Sequence, residues 1–280
     1  MRKANRLLKY RSLAIGGLVM VCMIVLAVAA PLLAPYEPNQ IDLRARLRPP
    51  SWESGGNPPH ILGTDSLGRD VLSRILFGGR ISLLIGVLSV VGQGLVGVVI
   101  GVSAGYWGGV LGATLMRIVD MQLSIPFLIL AISVSAAVGA SLLNVIVVLA
   151  ISGWPIFARL ARASTLQLVN APFVEAARSI GRADAGIIRQ HILPNIAGSL
   201  LVAATYQMAF MILSEAALSY LGLGVPVDTA TWGTMIAAGR NYVSSAWWIV
   251  AFPGVAIVVT VLGVNMMGNG LHDLLNPRMS

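Results

Sequence analysis

Glu215 is the one acidic side chain well inside a long apolar stretch of this 280-residue chain. A carboxylate there needs a partner or a wet cavity, because burial of a lone charge in an apolar medium is costly. At helical spacing Gln207, Met208, Met211 and Leu218 share its face. Two readings follow: a residue of a translocation path or gate, or an interhelical hydrogen bond that fixes the fifth and sixth spans, and the second is preferred. Little else could do covalent chemistry. Cys22 is the lone cysteine, which excludes an intrachain disulfide, and with His60, His191 and His272 far apart no metal site is indicated. Lys3 and Lys9 are the only lysines, so no G-x-x-x-x-G-K-[ST] phosphate loop exists and any nucleotide must bind another chain. No resident cofactor is expected.

A second constellation lies at 172–194. Pro172 suits the first turn of a helix and Gly181 its stop. Asp184 suits the N-cap of a second helix, which Pro194 would help to end. Phe173, Ala176, Ala177 and Ile180 recur as one apolar face, and Ile187, Ile188, His191 and Ile192 as another. Such faces either pack on the ends of this chain's own spans or dock on a partner. A third pattern is the small-residue stripe Gly97, Gly101, Gly105, which lets a neighbouring helix approach closely.

The elements that must carry these residues are membrane helices. Apolar residues make up 56% of the chain and charged ones 11%, against about 25% charged in a soluble domain. Five charge-free runs (Ser12–Tyr36, Ile81–Met116, Met121–Ala158, Gln190–Ser214, Asn241–His272) are each long enough to cross. The first exceeds the apolar core of a cleaved signal peptide. Arg2, Lys3, Arg6, Lys9 and Arg11 precede it without an acid, and Arg159, Arg162, Arg178, Arg182 and Arg189 form a second basic cluster. Both clusters face the cytoplasm only if an even number of spans separates them. The Met121–Ala158 run must then hold two helices turning at Gly139-Ala140-Ser141. The expectation is an all-α integral membrane protein with six spans, near 13–35, 81–106, 120–138, 142–160, 197–219 and 247–267, and both termini cytoplasmic. Its units are an N-terminus with the first helix (1–36), a Pro-rich extracytoplasmic connector (37–80), a membrane core (81–270) with a cytoplasmic loop (161–196), and a C-terminal tail (271–280). The net charge of +8 reads as topology in contact with lipid rather than as nucleic-acid binding.

Glu175-Ala176-Ala177, Gly181 and Leu193-Pro194 resemble, in identity and spacing, the "EAA" loop of ABC importer permeases, with His191 departing from the usual apolar residue. The resemblance implies that this loop seats in a cytoplasmic ATPase, through Phe173, Glu175, Ala176, Ala177, Arg178, Gly181, Arg182, His191, Leu193 and Pro194. The Gly63–Arg74 segment, Arg117–Asp120, Ser214–Ser219, Leu221–Gly224, Trp232-Gly233 and Leu274–Arg278 are similar to the dipeptide/oligopeptide/nickel permease family, and the short connector to its C-type subunit. Membership implies a type I ABC importer permease fold in a bacterial inner membrane, paired with a B-type permease, two cytoplasmic ATPases that bind the ATP and Mg, and an extracytoplasmic binding protein. Peptides are the implied cargo, with glutathione, opines or nickel chelates as alternatives. An ion-coupled secondary transporter is the rival from another class. It is disfavoured because no internal repeat is visible and only Glu215 is an intramembrane acid.

Overall fold

The computed structural model describes residues 2–56 and 58–275. The side chains of the N-terminal basic cluster through Lys9, and the Asn276–Arg278 part of the C-terminal motif, lie outside the described residues. All regular elements among those described are helical, apart from one bridge between Thr64 and Asp70. They are α1 (Arg2–Val28), α2 (Ala30–Leu33), α3 (Val71–Tyr106), α4 (Gly109–Ser124), α5 (Phe127–Val138), α6 (Leu142–Leu168), α7 (Pro172–Ser179), α8 (Asp184–Ile187), α9 (Leu193–Tyr220), α10 (Trp232–Gly239) and α11 (Trp248–Leu275).

Five helices are long and apolar enough to cross a membrane, and α4 with α5 make a sixth span if the pair is counted as one. That pair corrects the expected straight helix over 120–138. The chain breaks at Ile125-Pro126 and the two helices meet at 85°. Proline supplies no N–H and forces Ile125 into an extended conformation (φ −90°, ψ 118°), which ends α4.

Packing fixes the directions. Gly97, Gly101 and Gly105 of α3 meet Trp154, Ala158 and Thr165 of α6 in ascending order, so α3 and α6 run parallel. Gly112 lies against Ala104, and Gln122 Nε2 donates to the Ile151 carbonyl at 3.4 Å, so α4 returns antiparallel to both. The bent pair is therefore the crossing that charge parity required. α9 runs against α3, with Met208 and Ile212 beside Gly86 and Gln207 beside Gln93. α11 runs against α9, with Gly268 on Thr205 and Leu275 near Gly198. α1 runs against α11, with Gly16 at the Gly263–Met267 backbone and Ser12 Oγ donating to the Met266 carbonyl at 3.0 Å. The start of α1, the loop after α6 and the end of α11 consequently share one side.

Two further differences concern the ends of helices. The second span starts at Val71 rather than 81, because Asp70 caps it by accepting from the Ser73 N–H at 2.8 Å. At 36 residues, or about 54 Å at 1.5 Å per residue, α3 projects beyond the hydrocarbon. Pro194 does not end the second loop helix. A π-helical turn at Ile188–Ile192, with the Leu193 N–H bonded to the Ile188 carbonyl, joins α8 to α9 in one path through the proline. α10, which packs near the C-terminal end of α9, was not expected.

The connector is more ordered than an extended strap. Asp65 lies at its centre, accepting from the Arg69 and Leu67 N–H groups and from Arg69 Nε at 2.7 Å, with Arg74 Nε 3.8 Å away. Arg74 Nη1 also donates to the Pro38 carbonyl and to Asn39 Oδ1. His60 Nδ1 sits 3.0 Å from Asp70. Trp248 Nε1 donates to the Thr64 carbonyl at 3.0 Å, which pins this layer to α11.

Candidate coupling loop and buried polar centres

The loop between α6 and α9 is built by local rules. Pro172 occupies the first turn of α7, and Glu175 and Arg178 lie at the helix ends that favour their charges. Gly181 adopts φ +78°, and behind it the Arg182 N–H returns to the Ala177 carbonyl (3.1 Å) and the Gly181 N–H to Arg178 (3.0 Å). These two bonds close a Schellman stop, which needs the left-handed conformation that glycine adopts without strain. Asp184 is not the N-cap; Ala183 holds that place, and Asp184 lies in the first turn of α8.

The second face is as read from the sequence, with Ile187 and Ile192 buried and Ile188 and His191 half-buried, but the first differs. Val174 and Ala177 are buried, together with Ile187 and Ile192, against Val102, Tyr106 and Ala161. Phe173 is 42% exposed, Ile180 81%, and Ala176 and Glu175 also lie outside. The reason is registry: the approach of α7 to α3 turns Val174 inward, and in an eight-residue helix the rotation is set by packing rather than by period. Among the described residues, an outward row of Phe173, Glu175, Ala176 and Ile180 therefore has no cover from this chain. Around it, the Phe173 ring lies 6.1 Å from His191, and Arg182 donates to Gln190 Oε1. Leu193 packs beneath, with the buried cluster, and Pro194 faces a cleft of about 690 Å³ between α6, α9 and α11 that Gln167, Tyr206 and His272 also line.

The glycine stripe packs on this chain's own α6. A Cβ at Gly97 would meet Phe157 Cβ at 2.6 Å, at Gly101 Ala161 Cβ at 2.8 Å, and at Gly105 Thr165 Cβ at 2.8 Å. Helices in lipid gain no hydrophobic drive from associating, so close backbone contact supplies the attraction.

Glu215 is 1% exposed. Its Oε1 accepts from Ser219 Oγ (2.8 Å) and from Thr231 Oγ1 (2.9 Å), while Oε2 has no partner among the described residues. The bond thus anchors the N-cap of α10, not the sixth span as expected. Thr231 in turn accepts from the Thr234 N–H at 3.0 Å. Gln207 and Met211 belong to a different centre, organised by Gln93 of α3. Gln93 Nε2 donates to the Leu149 carbonyl of α6 and to Met211 Sδ, both at 2.9 Å, and Gln93 Oε1 accepts from Gln207 Nε2 at 3.0 Å. Gly153 leaves the space that this amide fills. Gln93, the only amide in the Ile81–Met116 run, was the signal for this centre; Thr231 gave none. Among the described residues no cluster of His, Cys, Asp or Glu could hold a metal ion.

The comparisons with known proteins agree with this architecture. A family model described as "Binding-protein-dependent transport system inner membrane component" matches residues 97–280, and one for the "N-terminal TM domain of oligopeptide transport permease C" matches residues 2–50. The chain is 42% identical over 267 residues to the "Di/tripeptide transport system permease protein DppC" of Pseudomonas aeruginosa, covering 95% of this chain and 88% of that one. It is 41% identical to the "Probable D,D-dipeptide transport system permease protein DdpC" of Escherichia coli, covering 94% and 86%. Among solved structures, a chain of the inward-facing MetNI methionine ABC transporter superposes with a TM-score of 0.60 at 21% identity, over 73% of this chain and 95% of that one, a likeness of fold. The helical architecture, the loop and the extent of these matches lead to one conclusion: the chain belongs to the binding-protein-dependent transport system inner membrane component family, as a multi-pass permease of type I importer fold.

Proposed function

We propose that the chain is one membrane subunit of an ATP-driven importer of di- or oligopeptides, and that α7 is where ATPase closure acts on it. The observation that carries this reading is the outward row Phe173, Glu175, Ala176 and Ile180, an apolar and charged strip on a fully formed helix that none of the described residues of its own chain covers. The family implies a cytoplasmic ATPase as the cover, with Arg178, Arg182 and His191 at the rim and Ala177, Gly181, Leu193 and Pro194 shaping the loop beneath. The loop, the start of α1 and the end of α11 then face the cytoplasm, in keeping with the basic clusters. The connector of 37–70 and α10 face outward, towards a peptide-binding protein, and the first turns of α3 join them. A B-type permease completes the membrane pair, and two partner ATPases bind the ATP and Mg. Substrate moves by alternating access between the two permeases. The names of the peptide-transporting relatives support peptides as cargo.

The test is made on the whole purified complex. Gly181→Val forces a β-branched residue to φ +78° and misdirects the loop, and Glu175→Lys reverses a charge on the outward strip. Both variants should lose ATPase subunits on purification, or hydrolyse ATP without importing alanyl-alanine. Wild-type ATPase retention and wild-type uptake in both would overturn the assignment of the loop.

A further inference from the structure

We propose that Tyr106 and Trp107, through the Asp184 carboxylate, are positioning residues that carry movement of the α7–α8 loop into α3. Two aromatics closing a membrane helix are usually read as anchors at the level of the lipid headgroups. Here their polar atoms point elsewhere. Tyr106, 8% exposed, donates its hydroxyl to Asp184 Oδ1 at 2.7 Å, and Trp107 Nε1 donates to Oδ2 at 3.3 Å. Each carboxylate oxygen takes one donor from the end of α3. The two rings meet edge to face with centroids 5.5 Å apart, and the Arg178 guanidinium of α7 lies 5.8 Å over the Tyr106 ring. One residue at the end of α3 thus holds both helices of the loop, one by a hydrogen bond to a carboxylate and the other by a cation–π contact.

The packing of the loop on Val102 of α3 and Ala161 of α6 is apolar and lets surfaces slide, whereas a two-donor carboxylate bond is directional. The backbone on either side of Asp184 is irregular: Gly181 turns the chain before it, and the π-helical turn at 188–192 follows it. α8 therefore joins α9 through an irregular turn and α3 through fixed hydrogen bonds. α3 continues without a break for 36 residues to the outer face. There Ser82 Oγ accepts from the Trp232 N–H at 3.2 Å, and Trp232 Nε1 donates to the Ile75 carbonyl at 3.1 Å. Displacement of the loop thereby reaches α10 through one rod.

This inference rests on the loop being the ATPase contact, and its test is separable from that of the contact itself. Tyr106→Phe with Trp107→Phe keeps both rings and removes both donors. In the reconstituted whole complex the double variant should retain its ATPases and hydrolyse ATP within about twofold of wild type. Alanyl-alanine imported per ATP should fall about tenfold, the scale of losing hydrogen bonds to a charged group. A spin label at Val243, placed in a Cys22→Ser background, should lose the spectral change between nucleotide-free and vanadate-trapped states. In the otherwise wild-type complex Asp184→Glu, which keeps both acceptors, should retain more of the import ratio than Asp184→Asn, a grading that a merely structural residue would not give. Should the double variant fail to accumulate, Trp107→Phe alone removes a half-exposed indole (51%) and should show a smaller drop in the same ratio. An unchanged import ratio overturns the proposal, as does loss of ATPase subunits in proportion to import. If Glu175→Lys and Gly181→Val are both wild type, the loop assignment itself has failed, whatever residues 106 and 107 do.

Discussion

Gly101→Ala tests the close contact of α3 with α6 using a single added methyl. The new Cβ would fall against the Ala158 carbonyl, closer than any contact between real atoms, and 2.8 Å from Ala161 Cβ. Ordinary contacts begin near 3.4 Å, so relieving the Ala158 contact parts the helices by about 1 Å, a shift that a close-packed interface resists. Overpacking of this kind costs about 1–3 kcal/mol. Gly94→Ala on the same helix is the control, since nothing in this chain lies within 4 Å of a Cβ there. Removing glycine from a helix interior stabilises by about 1 kcal/mol, a gain common to both variants, so they should differ by the overpacking alone, about 1–3 kcal/mol, with Gly101→Ala the less stable. Titration of the micelle-solubilised chain with SDS, followed by far-UV circular dichroism, measures the difference. Equal midpoints for Gly94→Ala and Gly101→Ala would refute the reasoning, because only the interhelical contact distinguishes them.

Other outcomes follow from the same structure. Glu215→Gln keeps an acceptor for Thr231 and Ser219 and should leave assembly intact, whereas Glu215→Leu strands both hydroxyls at about 1–3 kcal/mol. Faster hydrogen exchange over α10 would report the Leu effect, and unchanged exchange would contradict it. Asp65→Ala removes the common carboxylate of buried Arg69 and Arg74, a loss of about 3–5 kcal/mol. Limited proteolysis of the connector in intact complexes should then begin at lower temperature. A cysteine at Ser179 in the Cys22→Ser background should react only with a cytoplasmic reagent and one at Ser51 only from outside; outer labelling of Ser179 would refute the proposed orientation.

The spans were legible because a bilayer demands long charge-free runs, and the count of six because basic clusters must share a side. The break at Pro126 was not, since Pro155 and Pro253 sit inside continuous helices and neighbouring side chains decide which prolines bend the chain. α10 was hidden because eight residues carry too little periodicity to separate a helix from a loop. For the same reason the rotation of α7 was not legible: Val174 and Ala177 face inward, while Phe173, Ala176 and Ile180 of the face read from the period stay outside. The motif residues of the loop were found by identity, yet their support was not: Tyr106 and Trp107 are distant in sequence from Asp184, and an aromatic pair closing a span is the ordinary mark of a lipid interface. Gln93 is different, since an amide in an apolar span announces a polar partner without naming it.

The elbow between α4 and α5 carries a requirement that a single chain in a bilayer does not meet. Gln122 contacts Ile151, midway along the membrane part of α6, so the elbow lies at membrane depth. There the last carbonyls of α4 and the first N–H groups of α5 leave their helical ladders, and Ser124, Ile125 and Pro126 are uncovered. Hydrocarbon offers such groups nothing to bond, so backbone of this kind persists only against protein or water. The surface bearing Met121–Pro126 is thus unfit for lipid, and a bilayer holding this polypeptide alone would have to admit water or deform around it. Insertion of the subunit is in this sense unfinished until a second polypeptide or an aqueous channel closes over the elbow.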